Sequence, residues 1–180
     1  PRRYLLSTEP KEVFEHCRLA RRLLETNRPQ LRLRRSGARY ELCVLAVGRH
    51  QVFARIVGVL SYFGLNILRG YALSNRQNTI LDIFEFRDPG GVLERNPTER
   101  LRCRKLLKEA ILGKLDVELL LAGREQSFLL QPVSSPFPAT VYFEETAESA
   151  YTIMEIVAPD SVGLLYRISH AISHVGCNIE

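Results

Sequence analysis

The chain has 180 residues, 46% apolar and 25% charged, the balance of a globular chain forming one ordinary domain or two small ones. No apolar run approaches the ~18–20 residues of a membrane-spanning helix, and Leu, Ile, Val and Phe are spread too evenly for a disordered chain. The formal net charge of +5 is lopsided: residues 1–39 carry eleven Lys/Arg against four Glu, a net of +7, and residues 40–180 carry fourteen against sixteen acids, a net of −2. A basic lead can bind nucleic acid. The reading we expect instead is a helix face and connector packed on an acidic neighbouring domain. The chain opens Pro1-Arg2-Arg3 without an initiator Met, as expected of a piece of something longer.

Residues 8–27 read as a helix, capped by Ser7 or Thr8, with Pro10 tolerated in the first turn. Val13, Cys17, Ala20 and Leu24 fall on one stripe. Residues 28–39 read as a basic connector. Tyr40 to Val47 is a strand with two largely apolar faces, which suits a strand covered on both sides. Gln51 to Phe63 is a helix whose inner face is Phe53, Ile56, Leu60 and Phe63, and Gly64 ends it. Leu65–Leu73 and Thr79–Phe86 are strands joined by a polar loop. A helix begins at Asn96-Pro97, with Glu99 at the reach-back position, and Asp116 can cap a further turn. Residues 123–138 read as a linker-like insertion, and Ala139 to Phe143 as a fourth strand. The order β-α-β-β-α-β is that of a ferredoxin-like sandwich.

The pattern then restarts. Residues 53–67 match residues 165–179 at an offset of 112, with six identities: Arg55/Arg167, Ile56/Ile168, Ser61/Ser173, Gly64/Gly176, Asn66/Asn178 and Ile67/Ile179. Tyr151–Val157 corresponds to Tyr40–Val47. Residues 146–180 therefore read as the first half of a second copy, after a first copy at 40–145. Half a copy cannot close its own core, so the natural chain is expected to continue.

The loop Ala158-Pro-Asp-Ser-Val-Gly-Leu-Leu165 joins strand to helix. Its backbone N–H groups suit a carboxylate, Gly163 permits close approach, and Asp160 can hold an ammonium group or simply cap the helix. Asn178 offers a donor and an acceptor. Together they could grip both ends of a free amino acid. The plain alternative is an Asp cap, a Gly turn and an Asn at a strand edge. His170 and His174 share a helix face but lack the third ligand of a zinc site and the HExxH glutamate, so they read as solvated. The four cysteines, Cys17, Cys43, Cys103 and Cys177, form no CxxC pair and read as reduced, in a cytoplasmic protein. No P-loop, GxGxxG, GxSxG or paired-carboxylate arrangement occurs. Phe84 and Phe86 share a strand face with Asp82, which would repel phosphate, so that strand reads as core and not as an RNA platform.

These residues resemble ACT domains. More narrowly, the chain resembles the C-terminal regulatory region of the bacterial uridylyltransferase/uridylyl-removing enzymes. The similarity is carried by Pro1-Arg-Arg-Tyr-Leu-Leu6, by Phe53-Ala-Arg-Ile56 through Gly64-Leu-Asn-Ile67, by Leu81-Asp-Ile-Phe84, by Thr140-Val-Tyr-Phe143, and by Glu155-Ile-Val-Ala-Pro-Asp160 with Gly163-Leu-Leu165. The resemblance implies an α+β fold of tandem ferredoxin-like βαββαβ (ACT) sandwiches, the second truncated, behind a basic N-terminal helix (residues 1–39) leading from an upstream domain. It implies that Asp160, Gly163, Leu164 and Leu165 form a ligand loop, with Asn178 as its matching Asn and Asn66 as the first copy's. It implies sensing of a small amino acid, glutamine, which controls uridylylation and deuridylylation of the nitrogen-signalling PII protein. No catalytic residue, cofactor or metal is implied within the chain; UTP and a divalent metal belong to catalytic domains upstream. ACT–ACT pairing or a homodimer is expected, with neither membrane nor nucleic acid as partner. In the first copy Gly48 stands where the family has Asp and Gln51 where it has Gly, so binding is expected at the second loop and not the first. A stand-alone tandem-ACT regulator of the glycine-cleavage repressor type, and a ligand-free ACT dimerisation module, remain open alternatives.

Overall fold

The computed structural model describes residues 4–5, 8–123, 138–145, 152–177 and 179. Helix α1 spans Pro10–Thr26 and stops at Asn27, whose left-handed φ of 50° turns its N–H back to the Leu23 carbonyl. Glu9 is its N-cap residue, without a side-chain cap, so Thr8 does not play that part, and Ser7 lies outside the described residues. Its buried face is His16, Leu19 and Leu23. The expected stripe is wrong: Cys17 is exposed and Leu24 is 80% exposed. The helix is turned by one position, about 100°, and ion pairs explain the turn. Glu12 accepts from Arg32 Nη2 at 2.6 Å and from Arg34 Nη1 at 2.7 Å, which swings His16 and Leu19 onto the sheet.

Those arginines lie on strand β1, Gln30–Ser36. Residues 28–39, expected to be a connector, thus hold a strand. Gly37, at a φ of 59°, closes a tight hairpin into β2, Arg39–Val47. Helix α2 (Val52–Tyr62), strands β3 (Asn66–Ser74) and β4 (Thr79–Arg87), the single turn α3 (Val92–Arg95), and helices α4 (Pro97–Ile111) and α5 (Val117–Ala122) follow. The four strands form one sheet in the order β1-β2-β4-β3, antiparallel at every junction. Asn96 caps α4 through Thr98 and Glu99, and Asp116 caps α5 through Leu119, both as expected.

Helices α2, α4 and α5 bury one face of the sheet around Leu42, Val44, Ile56, Phe84, Phe86 and Leu107. Helix α1 covers the other through Leu19, Leu23, Cys43 and Leu45, as the doubly apolar strand β2 required. The α+β, ferredoxin-like class therefore holds, with α1 as an added layer.

One strand is placed differently. The expected fourth strand of this sheet exists as β5, Thr140–Glu145, but it pairs antiparallel with β6, Thr152–Val157. The position beside β2 belongs to β1, because closing a hairpin costs far less chain entropy than recruiting a strand from a hundred residues away. The hairpin β5–β6 repeats β1–β2. Gln30 faces Leu45 and Thr140 faces Val157, and Leu45 and Val157 are equivalent at the offset of 112. Helix α6 (Leu164–His174) then stands to β6 as α2 stands to β2.

Helices α2 and α6 pack on each other. Leu165 and Tyr166 rest on the main core, while Ser169 and Ser173 are buried. Gly58 makes the approach possible: a Cβ there would collide with Val117 and lie 2.9 Å from the Tyr166 ring. His170 Nε2 lies 2.7 Å from Glu118 Oε1, which ties α6 to α5. Among the described residues no helix is long and apolar enough to cross a membrane.

Candidate functional site

The packing of α2 on α6 creates two cavities related by the internal repeat. The smaller, about 230 Å³, lies between the 160–165 loop and the far end of α2, where Ser61, Leu65, Asn66 and Gly70 line it. The larger, about 540 Å³, lies between the equivalent 48–53 loop and the far end of α6, where Ser173 and Ile179 line it. Ser61 and Ser173 are repeat equivalents, as are Ile67 and Ile179, so each loop faces the other helix's C-terminal end.

The structure brings Asp160, Gly163, Leu164 and Leu165 together with Asn66 around the smaller cavity. Asn178 lies outside the described residues. Asn66, on β3 of the first unit, lines the same cavity as the loop. Gly163 is left-handed at a φ of 83° as the N-cap of α6, a conformation natural to glycine. Asp160 is exposed. Ser161 Oγ accepts from Arg167 Nη2 at 3.0 Å, which pins the loop to its own helix.

The first loop keeps the same backbone with different residues. Gln51 occupies Gly163's position and is also left-handed, at a φ of 64°, which an L side chain adopts only under strain. Gly48 occupies Asp160's position, and a Cβ there would collide with the Asn78 side chain. Asn78 donates from Nδ2 to the Gly48 carbonyl at 2.9 Å, and the Gly48 N–H donates to the Asn78 carbonyl at 2.6 Å. The turn between β3 and β4 therefore closes over this loop, and a larger residue at position 48 would have to displace the Asn78 side chain.

The acid comes from the sheet instead. Asp82 on β4 lines the larger cavity, is 2% exposed, and leaves Oδ2 without a hydrogen-bond partner. Burial pushes its carboxyl up from 3.8 to about 7. Sequence reasoning placed Asp82 in the core and gave it no task. The available signal was an acid on the same strand face as Phe84 and Phe86, a position that burial makes costly.

The remaining titratable groups fit structural roles. Burial raises the thiols of Cys43 and Cys103, which keeps them protonated and inert, and all four cysteines are free. Tyr4 Oη bonds His16 Nδ1 at 2.7 Å, and burial lowers the pKa of that imidazole, helped by Arg32. No group of three or more His, Cys, Asp or Glu side chains that could hold a metal ion occurs among the described residues.

Comparison with known proteins gives one consistent description. The chain is 26% identical to the bifunctional uridylyltransferase/uridylyl-removing enzyme of Nitrosospira multiformis over 98% of its own length and 20% of that protein. The enzyme of the same description from Azospirillum brasilense is 24% identical over 98% of this chain and 19% of its own. That of Pseudomonas putida is 31% identical over 71% of this chain and 14% of its own. The first two are homologues across essentially the whole chain, which spans about a fifth or less of the length of these curated relatives. No family model matches the chain, and no solved structure matches it significantly.

Proposed function

We propose that the chain is the amino-acid-sensing regulatory part of a bifunctional uridylyltransferase/uridylyl-removing enzyme, built from two ACT-type units, with glutamine as its ligand. Glutamine held between the units would bias the enzyme between adding UMP to the PII protein and removing it. Catalysis, with its UTP and divalent metal, would belong to domains outside this chain. The observation that carries the reading is the 160–165 loop facing Asn66 across the smaller cavity, in a chain similar to several enzymes of that description. A ligand there would touch both units, so its binding energy can depend on how they are packed, which is what a sensor requires.

The chemistry suits glutamine. The Asp160 carboxylate can accept from the α-ammonium group. Gly163 leaves the backbone bare for close approach. Asn66 carries both a donor and an acceptor, which matches a carboxamide. Losing a charged hydrogen bond costs roughly 1.5–3 kcal/mol, and solvent exposure of Asp160 favours the lower end. Asp160→Ala should therefore weaken L-glutamine binding about tenfold, measured by calorimetry on the chain. Unchanged affinity would remove the loop from the site.

A further inference from the structure

The buried carboxyl of the larger cavity has no part in the glutamine site. Its strand neighbours in register are Val44 and Ala72, and neither side chain can pair with it. A buried polar atom without a partner is rare in native proteins and calls for an explanation such as a ligand. The cavity has the size of a small-molecule site, about 540 Å³. Its exposed lining includes Arg49, His50 and Arg76, so negative charge is available in the interior and positive charge at the mouth. That polarity is complementary to a zwitterion and not to a simple cation.

We propose that Asp82 is the ammonium-binding carboxylate of a second site, which takes a free α-amino acid with its ammonium group inward and its carboxylate toward Arg49 and Arg76. The site uses a different acid, on a different element, from the loop at 160–165. It does not depend on the glutamine assignment made for that loop. It also accounts for Gly48: the acid that the second unit carries in its loop is supplied here from β4, beneath the turn that closes on Asn78.

Proton linkage follows from the same geometry. The other charged or titratable groups lining the cavity are Arg49, His50 and Arg76, while β2, β3, α2 and α6 present Val44, Ala72, Phe53 and Ser173. Burial alone holds Asp82 protonated below about pH 7, so an incoming ammonium group must displace that proton. Binding at pH 6 should release protons, and binding at pH 8 should not.

The test is calorimetry on the whole chain with the common L-amino acids as single probes, each with its des-amino analogue as control. We expect one amino acid to show a binding event that Asp82→Asn weakens tenfold or more and that Asp160→Ala preserves. Titrations in two buffers of different ionisation enthalpy should show proton release at pH 6, and the des-amino analogue should be silent. If every event seen is lost in Asp160→Ala and kept in Asp82→Asn, the second site is overturned and the first stands. An event lost in Asp82→Asn and kept in Asp160→Ala supports the second site, and the first is removed only where no event is sensitive to Asp160→Ala. If no amino acid gives an event sensitive to Asp82, or binding at pH 6 releases no proton, the inference is wrong.

Discussion

Asp82→Asn should be more stable than the unsubstituted chain at neutral pH, by a margin that opens between pH 4 and pH 8. The native carboxyl keeps its proton to about pH 7, against an ordinary value of 3.8. Between these values the unfolded chain has released the proton and the native chain still holds it. The unfolded state then binds fewer protons, so stability falls as pH rises through this window and levels off above it. The span corresponds to roughly 3–4 kcal/mol. The amide cannot ionise and escapes this loss. Other titrating groups, including His16 and Glu12, are common to both proteins and cancel in the difference. Urea unfolding of both proteins at several pH values measures it. A constant difference from pH 4 to pH 8 would show that Asp82 is not held protonated by burial.

Gly58→Leu should be net destabilising by about 1–2 kcal/mol. Helix propensity alone would favour the change by roughly 1 kcal/mol. Packing decides against it, because even a Cβ meets Val117 and the Tyr166 ring, and overpacking a filled interface typically costs about 1–3 kcal/mol, occasionally more. The damage should be local as well as global. Helix α6 must shift off α2, and Tyr166, whose hydroxyl is raised to about 12 by burial, should titrate closer to 10. Denaturant unfolding gives the first quantity, and a spectroscopic tyrosine titration gives the second. Parent-like stability together with an unchanged Tyr166 titration would mean that α6 does not pack where the structure places it.

What the sequence made legible follows the reach of its local signals. The caps at Asn96 and Asp116, the strands around the polar loop at 74–78, and helix α2 rest on short-range chemistry, and the structure has them. The repeat was legible because identical residues recur at a fixed offset. The edge strand β1 was hidden by its arginines: Leu31 and Leu33 alternate with Arg32 and Arg34, and the charge masks the two-residue period until Glu12 is seen to pair with both arginines. The partner of β5 was hidden because pairing between distant strands leaves no mark in local composition.

The candidate site divides in the same way. Asp160, Gly163, Leu164 and Leu165 could be picked out because they are contiguous and their residue types suit a loop that meets a ligand. That Asn66 faces them could not be read, since it depends on α2 crossing α6 at Gly58. Asp82 was visible as an oddity, an acid beside two phenylalanines on one strand face. Its meaning depends on a cavity formed by two distant loops.

Amide hydrogen exchange of the chain with and without saturating L-glutamine tests the sensing assignment most directly. The account predicts slowed exchange in two separated segments at once, 160–165 and 65–70, because the ligand bridges them. Exchange unchanged in both segments at saturation, or slowed only in the 48–53 loop, would contradict it.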